Sequence, residues 1–269
     1  MYVEYYRLEE PPFNVTPDPK FLYLTEQHQT AMNHLLYGIR QRKGFVVLTG
    51  EVGTGKTTLC RKLLDALGES CHTALILNPM LTATQLLRAI VTEFGIEKPG
   101  RDRLGHLSAL NSFLLSVNAA GRDAVLIVDE AQDMSTELLE MTRLLSNLET
   151  DSRKLLQIVL AGQPELRQKL THPGLRQLNQ RITVRYHLRA MTQAETGQYI
   201  RHRLAVAGNA GALQFDEAAV NEIYRHTGGT PRLVNALGDK ALLAGYVAGT
   251  THIDQTIVDM AVRDMQEAA

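Results

Sequence analysis

The chain has 269 residues, of which 44% are hydrophobic, and this is enough for one large domain or two modest ones with a buried core. Its 28 basic and 29 acidic side chains give a formal net charge of -1, so no overall field attracts DNA or anionic lipid. The apolar runs fall short of the roughly 20 residues that cross a bilayer, and the first residues carry neither a basic leader nor an apolar stretch. We therefore expect a cytoplasmic protein in which Cys60 and Cys71 are reduced thiols.

Residues 1–24 are rich in proline and aromatic side chains. The prolines of Pro11-Pro12 and Pro17-Asp18-Pro19 resist helix formation, so we expect an extended segment that lies over the core. In residues 25–41, apolar side chains recur at helical spacing after an acidic first turn. The sequence therefore predicts a helix that leads the chain into the first strand.

Short apolar strands then alternate with helical stretches up to residue 189. This rhythm is typical of an α/β core, in which crossover helices flank a buried parallel sheet of five strands. The predicted strands are residues 45–49, 74–77, 125–128, 157–160 and 182–186.

After residue 187 the pattern changes to helical stretches without a strong strand candidate. Acidic residues or a proline stand where these helices begin, and Gly228-Gly229 ends one of them. The sequence therefore predicts a small all-helical domain over residues 190–269. Its predicted helices are residues 193–207, 216–226, 231–247 and 254–265.

A glycine-rich loop follows the first predicted strand and opens a helix. Glycines in such a loop let successive backbone N–H groups point at a phosphate, and the helix adds its positive end. Lys56 is expected to reach the β- and γ-phosphates, and the hydroxyl of Thr57 to complete the shell of a bound Mg²⁺. A chance glycine-rich turn is the alternative, but strand, spacing, lysine and hydroxyl agree on a nucleotide site. The loop reads Gly50-Glu51-Val52-Gly53-Thr54-Gly55-Lys56-Thr57-Thr58.

Two carboxylates, Asp129 and Glu130, end the third predicted strand. Asp129 is placed to hold Mg²⁺ through water, and Glu130 to polarise the attacking water. An acidic pair after a strand is common by chance, so this assignment depends on the glycine-rich loop. Both motifs follow the carboxyl ends of strands, where open α/β sheets place their ligands.

Two further polar residues are candidate sensors, Gln163 of the γ-phosphate or the attacking water and Arg232 of the γ-phosphate. Gln163 ends the fourth predicted strand, and the alternative is a turn amide that only caps the helix beginning at Pro164. Arg232 begins a helix of the small domain behind Pro231, so that its direction is reproducible. A contact from Arg232 to the γ-phosphate would couple nucleotide state to the interdomain angle, whereas the alternative is a plain helix-start arginine.

Arg176 and Arg181 precede the last predicted strand, on the rim of the expected site. In ring-forming nucleotide hydrolases such an arginine enters the adjacent subunit's site and is worth roughly 10³ to 10⁵ in rate. We take Arg181 as the first choice and Arg176 as the second. The alternative for each is a surface cation paired with a carboxylate.

The residues in this order resemble the motifs of the AAA+ ATPase superfamily, which combines a P-loop core with a small helical lid domain. More narrowly, the chain resembles the ExeA/GspA (general secretion pathway protein A) family, bacterial ATPases of type II secretion. The segments that carry this resemblance are Pro11-Pro12-Phe13, Pro17-Asp18-Pro19, His28, Leu36-Tyr37-Gly38-Ile39, the loop from Leu48 to Thr58, Asp129-Glu130-Ala131-Gln132 and Leu160-Ala161-Gly162-Gln163-Pro164-Glu165-Leu166.

This resemblance implies ATP and Mg²⁺ as ligands, ATP hydrolysis as the reaction and a homo-oligomer, as a ring or only with nucleotide. It also implies an inner-membrane partner protein and a role in moving or assembling the outer-membrane secretin through the peptidoglycan, or a related role in pilus biogenesis or exopolysaccharide export. Phe13 and Tyr23 would form apolar walls near the adenine. Longer members continue into a transmembrane helix and a periplasmic peptidoglycan-binding domain, so a chain ending at Ala269 is either a cytoplasmic piece of an inner-membrane protein or a short homologue.

Two other functions stay open at this point. A transposition branch shares the same core, and the clusters Arg40-Gln41-Arg42-Lys43 and Arg201-His202-Arg203 could build local patches for DNA, although the near-neutral charge weakens this interpretation. A nucleotide-gated switch that hardly turns over is the third. Glu130 argues against it, because a pure switch does not need a carboxylate that polarises water.

Overall fold

The computed structural model describes residues 1–14, 19–97, 100–150 and 153–267. Pro17 and Asp18 of the proline motif, and Ala269, lie outside the described residues. The chain forms two compact units, here called the core unit and the C-terminal unit. The core unit contains Glu26–Val52 and Leu59–Leu188, and the C-terminal unit contains Met1–Thr25, Gly53–Thr58 and Arg189–Ala269.

A parallel sheet of five strands forms the centre of the core unit, and the five predicted strands are confirmed. Its strands are β1 (Phe45–Gly50), β2 (Cys71–Ile76), β3 (Asp123–Val128), β6 (Leu156–Gly162) and β7 (Ile182–Leu188). They pair in the order β2-β3-β6-β1-β7. Every residue of β1 and β6 is buried, as expected for central strands of a sheet covered on both faces. A short antiparallel hairpin, β4 (Glu149–Thr150) and β5 (Arg153–Lys154), precedes β6.

Helices connect these strands, and several of them begin at a residue whose side chain caps the first turn. Thr82 and Gln85 form a capping box, and Asp102 accepts from the backbone N–H of Gly105 at 2.8 Å. The helices are α2 (Glu26–Arg40), α3 (Lys56–Leu67), α4 (Ala83–Glu93), α5 (Arg103–Ala119), α6 (Thr136–Leu145), α7 (Pro164–Leu170) and α8 (Arg176–Arg181).

The order of the strands places three carboxyl ends side by side. Because β6 lies between β3 and β1, the ends of all three strands lie at one edge of the sheet. Val128 of β3 pairs with Leu160 of β6, and Thr49 of β1 pairs with Gly162 of β6. The residues that follow β1, β3 and β6 are therefore neighbours at this edge.

The C-terminal unit is mainly helical and contains the four predicted helices. It also contains a parallel pair of two-residue strands, β8 (Gln214–Phe215) and β9 (His252–Ile253), which the sequence did not predict. Two residues are too few to give a period that sequence reasoning detects. Its helices are α1 (Tyr2–Tyr5), α9 (Gln193–Val206), α10 (Glu217–Thr227), α11 (Pro231–Ala248) and α12 (Gln255–Glu267).

The N-terminal segment begins with the short helix α1, where the sequence suggested an extended chain, and Tyr6, Leu8 and Phe13 are buried in the apolar core of the C-terminal unit. Burial of these large apolar side chains favours the packing of the segment into this core, which its proline content alone does not predict. The predicted domain bounds stay predictions. Cys60 and Cys71 are free thiols. Within the described ranges, we find no helix whose length and apolar character together would allow it to cross a bilayer.

Candidate nucleotide site

The glycine-rich loop joins β1 to α3. Gly53 and Gly55 adopt φ angles of 80° and 95°, in the region that L side chains rarely occupy. The helix α3 begins at Lys56, so its positive end faces the loop. Thr54 and Lys56 are 1% and 6% exposed. The loop thus has the backbone conformation, the cation and the helix terminus that a phosphate group requires.

The other residues of the loop differ in their exposure to solvent. Glu51 and Val52 are exposed, whereas Gly50 is the buried last residue of β1. Thr57 and Thr58 lie in the first turn of α3 and are partly buried. A hydroxyl at Thr57 is a hard oxygen ligand of the kind that Mg²⁺ prefers, so its predicted role fits its position.

Arg232 lies close to the loop through its main chain. Its backbone N–H donates to the carbonyl of Gly53 at 3.4 Å, and both residues belong to the C-terminal unit. A Cβ added at Gly53 would lie 2.7 Å from the Cβ of Arg232 and 3.2 Å from a methyl carbon of Thr230. Gly53 is therefore needed for its small size as well as its φ angle. The side chain of Arg232 is exposed, and its contact with a γ-phosphate stays a prediction.

Asp129 and Glu130 directly follow β3 at the shared strand edge. Asp129 is 2% exposed, and its Oδ1 accepts from the backbone N–H of Glu130 at 3.0 Å. Glu130 has φ 49° and ψ 37°, a left-handed conformation that costs a non-glycine residue about 1 kcal/mol. Such strain persists only where neighbouring contacts hold it, and it is frequent at functional sites.

Gln163 follows β6 and meets Glu130, as the strand order requires. Its Nε2 donates to Oε2 of Glu130 at 3.4 Å. A second amide, Gln132, donates from Nε2 to the same Oε2 at 2.8 Å, and its Oε1 accepts from the backbone N–H of Gln163 at 2.9 Å. Sequence reasoning assigned no role to Gln132, because its position in a turn after Glu130 gives no periodic or spacing signal.

The two rim arginines differ in their surroundings. The Nη1 of Arg181 donates to Oγ of Ser146 at 2.9 Å, to the carbonyl of Arg143 at 3.5 Å and to the side chain of Asn147. These acceptors lie at the C-terminal end of α6, where unpaired carbonyls need donors. Arg176 is exposed at the start of α8. The contacts of Arg181 lie within its own chain. The role of both arginines between subunits stays a prediction.

Phe13 and Tyr23 are packed within the C-terminal unit. Phe13 is 1% exposed, meets Phe215 edge to face at 6.0 Å between ring centroids and lies against Gly238. The hydroxyl of Tyr23 donates to Oε1 of Gln198 at 2.7 Å. These contacts give both rings a packing role, and their proximity to an adenine stays a prediction.

Comparison with known proteins agrees with this arrangement. Residues 39–170 match the family model described as an AAA domain. General secretion pathway protein A of Aeromonas hydrophila is 46% identical over 266 residues, which cover 98% of this chain and 48% of that protein. The chain therefore spans about half the length of this relative.

Solved structures support the fold alone, since their identities are low. The Aeropyrum pernix ORC2 protein, solved as ADPNP-ADP complexes, has a TM-score of 0.69 at 17% identity, and the match covers 97% of this chain and 72% of the ORC2 chain. Drosophila ORC bound to DNA has a TM-score of 0.70 at 18% identity and covers 98% of this chain and 66% of its own. By its sequence, its P-loop fold and its helical C-terminal region, this chain belongs to the AAA+ ATPases, in the family of general secretion pathway protein A.

Proposed function

We propose that this chain binds ATP with Mg²⁺ and hydrolyses ATP to ADP and phosphate. The observation that carries this proposal is the shared edge of the sheet, where the loop, the acidic pair and Gln163 follow three adjacent strands. A cation at a glycine-rich loop suits the phosphates, and the carboxylates that follow β3 suit a metal ion and a water molecule.

Each of these groups has a proposed role. The backbone N–H groups of the loop and the ammonium of Lys56 bind the phosphates, and Thr57 and Asp129 would hold Mg²⁺. When bound, Mg²⁺ neutralises negative charge on the phosphoryl group that is transferred. Glu130 accepts a proton from water as the water oxygen bonds to the γ-phosphorus. The bond from that phosphorus to the β–γ bridging oxygen breaks, which leaves ADP and inorganic phosphate.

The similarity to general secretion pathway protein A supports a role in secretion. We propose that turnover energises the assembly or transport of a type II secretion secretin, or of a related pilus or exopolysaccharide apparatus, through the peptidoglycan. The support is the 46% identity to a protein named for the general secretion pathway. The chain would act on the cytoplasmic side, through an inner-membrane partner protein.

Arg181 or Arg176 of a neighbouring copy would complete the site in a homo-oligomer. The test mixes Arg181→Ala subunits with Lys56→Ala subunits, each inactive alone. Because one kind keeps an intact loop and the other an intact arginine, mixing restores part of the ATPase activity if Arg181 acts between chains. If the mixture is as inactive as its components, Arg181 does not act in this way, and the same mixture is repeated with Arg176→Ala.

Nucleotide binding and turnover are measured separately. A fluorescent ATP analogue with Mg²⁺ should bind the parent chain, and Lys56→Ala should weaken this binding at least about tenfold, because a charged contact to phosphate is lost. Glu130→Gln should keep the affinity and lower turnover by roughly 10² to 10⁴, the usual worth of a general base. Lys62→Ala, an exposed lysine on the same helix, is the matched control. No detectable binding by the concentrated parent chain would overturn the proposal.

The function in DNA transposition gives a different result. A phosphate backbone contact releases counterions, so binding to duplex DNA would fall steeply with salt. Salt-sensitive binding of a DNA duplex that also stimulates turnover would favour that function over secretion.

A further inference from the structure

The side-chain amides of Gln132 and Gln163 donate to one oxygen of the Glu130 carboxylate. Gln132 is only 9% exposed, and its side chain bridges two groups, with Nε2 on Oε2 of Glu130 and Oε1 on the backbone N–H of Gln163. A buried amide with both ends satisfied has a single favourable orientation. The carboxylate on β3 and the residue that ends β6 are therefore joined through one side chain.

The turn that carries Gln132 is itself held by a cation. Lys169 of α7 donates from Nζ to the carbonyl of Gln132 and, at 2.8 Å, to the carbonyl of Met134. These carbonyls flank the end of a 3₁₀ turn, Ala131–Asp133, that begins immediately after Glu130. Hydrogen bonds from a charged donor are stronger than neutral ones, so Lys169 fixes the backbone on which Gln132 stands.

The space around the amide is also limited. A Cβ added at Gly162, the last residue of β6, would lie 2.8 Å from Oε1 of Gln132 and 3.0 Å from a methyl carbon of Leu166. A glycine here lets the amide reach the backbone of Gln163. Any larger residue would push the amide away.

The network leaves one oxygen of the carboxylate available. Both amide donors bind Oε2 of Glu130, and within residues 1–14, 19–97, 100–150 and 153–267 no hydrogen bond to its Oε1 is formed. A carboxylate fixed through one oxygen can accept a proton from water at the other. The left-handed backbone of Glu130 would not by itself maintain that direction.

We propose that Gln132 is a positioning residue for ATP hydrolysis: it aims Glu130 at the attacking water and ties that carboxylate to Gln163, the predicted γ-phosphate sensor. This inference rests on the proposed ATPase activity. A shift of the backbone at Gln163 on nucleotide binding would move the amide and, with it, the carboxylate. Gln132 touches neither ATP nor water in this role.

The first test replaces the amide with an apolar side chain of similar length. Gln132→Met should lower kcat about 10- to 100-fold, the value of a lost hydrogen bond to a charged group. KM and the affinity for the fluorescent ATP analogue should change less than about threefold, because no phosphate contact is lost. Gln132→Glu, which keeps an acceptor for Gln163 but repels Glu130, should be at least as slow. Gln168→Met, the same change at an exposed position of α7, is the control.

The second test leaves Gln132 in place and displaces it. Gly162→Ala should lower kcat roughly 3- to 10-fold with the affinity for nucleotide unchanged, because its methyl group takes the space of Oε1. If Gln132→Met does not fold, this variant decides the question alone. Thermal unfolding followed by circular dichroism shows which variants keep the parent's stability.

The outcomes separate this inference from the proposed function. A folded Gln132→Met variant with the parent's kcat, or one whose kcat, affinity and stability all fall together, overturns the positioning role. If Glu130→Gln itself keeps the parent's turnover, the proposed function of Glu130 fails first. The expected pattern is a normal affinity, a normal melting temperature and a low kcat in both Gln132→Met and Gly162→Ala.

Discussion

A lysine of the core unit and an arginine of the C-terminal unit make the same kind of contact. Lys169 donates to the main-chain carbonyls of Gln132 and Met134, 37 and 35 residues earlier in the chain. Arg203 donates to the carbonyls of Pro12 and Asn14, 191 and 189 residues earlier. In both places a cation satisfies backbone acceptors that no strand or helix pairs.

What each backbone carries sets the two apart. The turn held by Lys169 follows Glu130, and the side-chain amide of Gln132 in this turn donates to the carboxylate of Glu130. The segment held by Arg203 brings apolar side chains into a core, and the guanidinium lies over the rings of Phe21 and Tyr199 at 4.7 and 5.6 Å. The comparison teaches that the same kind of cation contact fixes a turn beside the proposed catalytic carboxylate in one unit and joins distant parts of the chain in the other.

The largest expected effect breaks the contact at Arg203. Arg203→Met removes the donor to the carbonyl of Pro12 and to the hydroxyl oxygen of Tyr199, and it leaves the carbonyl of Asn14 with Asn235 as its donor, so it should lower the free energy of unfolding by about 3 kcal/mol. The measurement is urea unfolding followed by circular dichroism, since the chain has no tryptophan. Hydrogen exchange should rise in residues 1–14.

Arg201→Met is the control, because Arg201 is exposed on the same helix and should change stability by less than about 0.5 kcal/mol. Equal midpoints for the two variants would show that Arg203 does not anchor the N-terminal segment.

The next effect concerns a backbone set by glycine. Gly53→Ala and Gly121→Ala both place a methyl group at positive φ, at a strain of roughly 1–2 kcal/mol. Only at Gly53 does the added Cβ clash, 2.7 Å from the Cβ of Arg232, whereas nothing lies within 4 Å at Gly121. We expect Gly53→Ala to weaken binding of the fluorescent ATP analogue at least about tenfold and Gly121→Ala to leave it unchanged. Equal affinities would mean that the loop tolerates a change of backbone.

A smaller effect sharpens the role of Lys169. Lys169→Met removes the donor to two carbonyls at a partly buried position, so stability should fall by about 1 kcal/mol and turnover by roughly three- to tenfold. Arg167→Met, an exposed cation of the same helix, should change neither. Loss of stability with full turnover would make Lys169 a structural residue only.

Much of the fold follows from patterns along the chain. The five strands are short apolar runs, and the loop at Lys56 is a local signal. Of the four predicted helices of the C-terminal unit, three begin behind a capping side chain, that of Thr192, Asp216 or Asp254, and the fourth begins with Pro231. The meeting of Glu130 with Gln163 depends on the strand order, which sequence reasoning expected only in general form. The contacts of Gln132, Lys169 and Arg203 were not predicted, because tertiary packing decides their partners, and Arg203, which the sequence suggested for a DNA patch, is buried. Tertiary packing also decides the burial of Phe13, for which composition alone suggested an extended segment.

The smallest expected effect tests a carboxylate whose partners, Arg225 and His226, lie on its own helix. Burial alone raises the pKa of Glu222, but hydrogen bonds from Arg225 and His226 outweigh it, so the pKa lies below its ordinary value of 4.5. Because the folded pKa is the lower one, this contact stabilises the protein above about pH 4.5 and is lost as the pH falls through the folded pKa. Glu222→Gln should therefore cost less than about 1 kcal/mol at pH 7 and nothing in strong acid, measured as urea midpoints at each pH. If the loss of unfolding free energy in Glu222→Gln is the same at every pH, the effect comes from packing of the side chain and not from its charge.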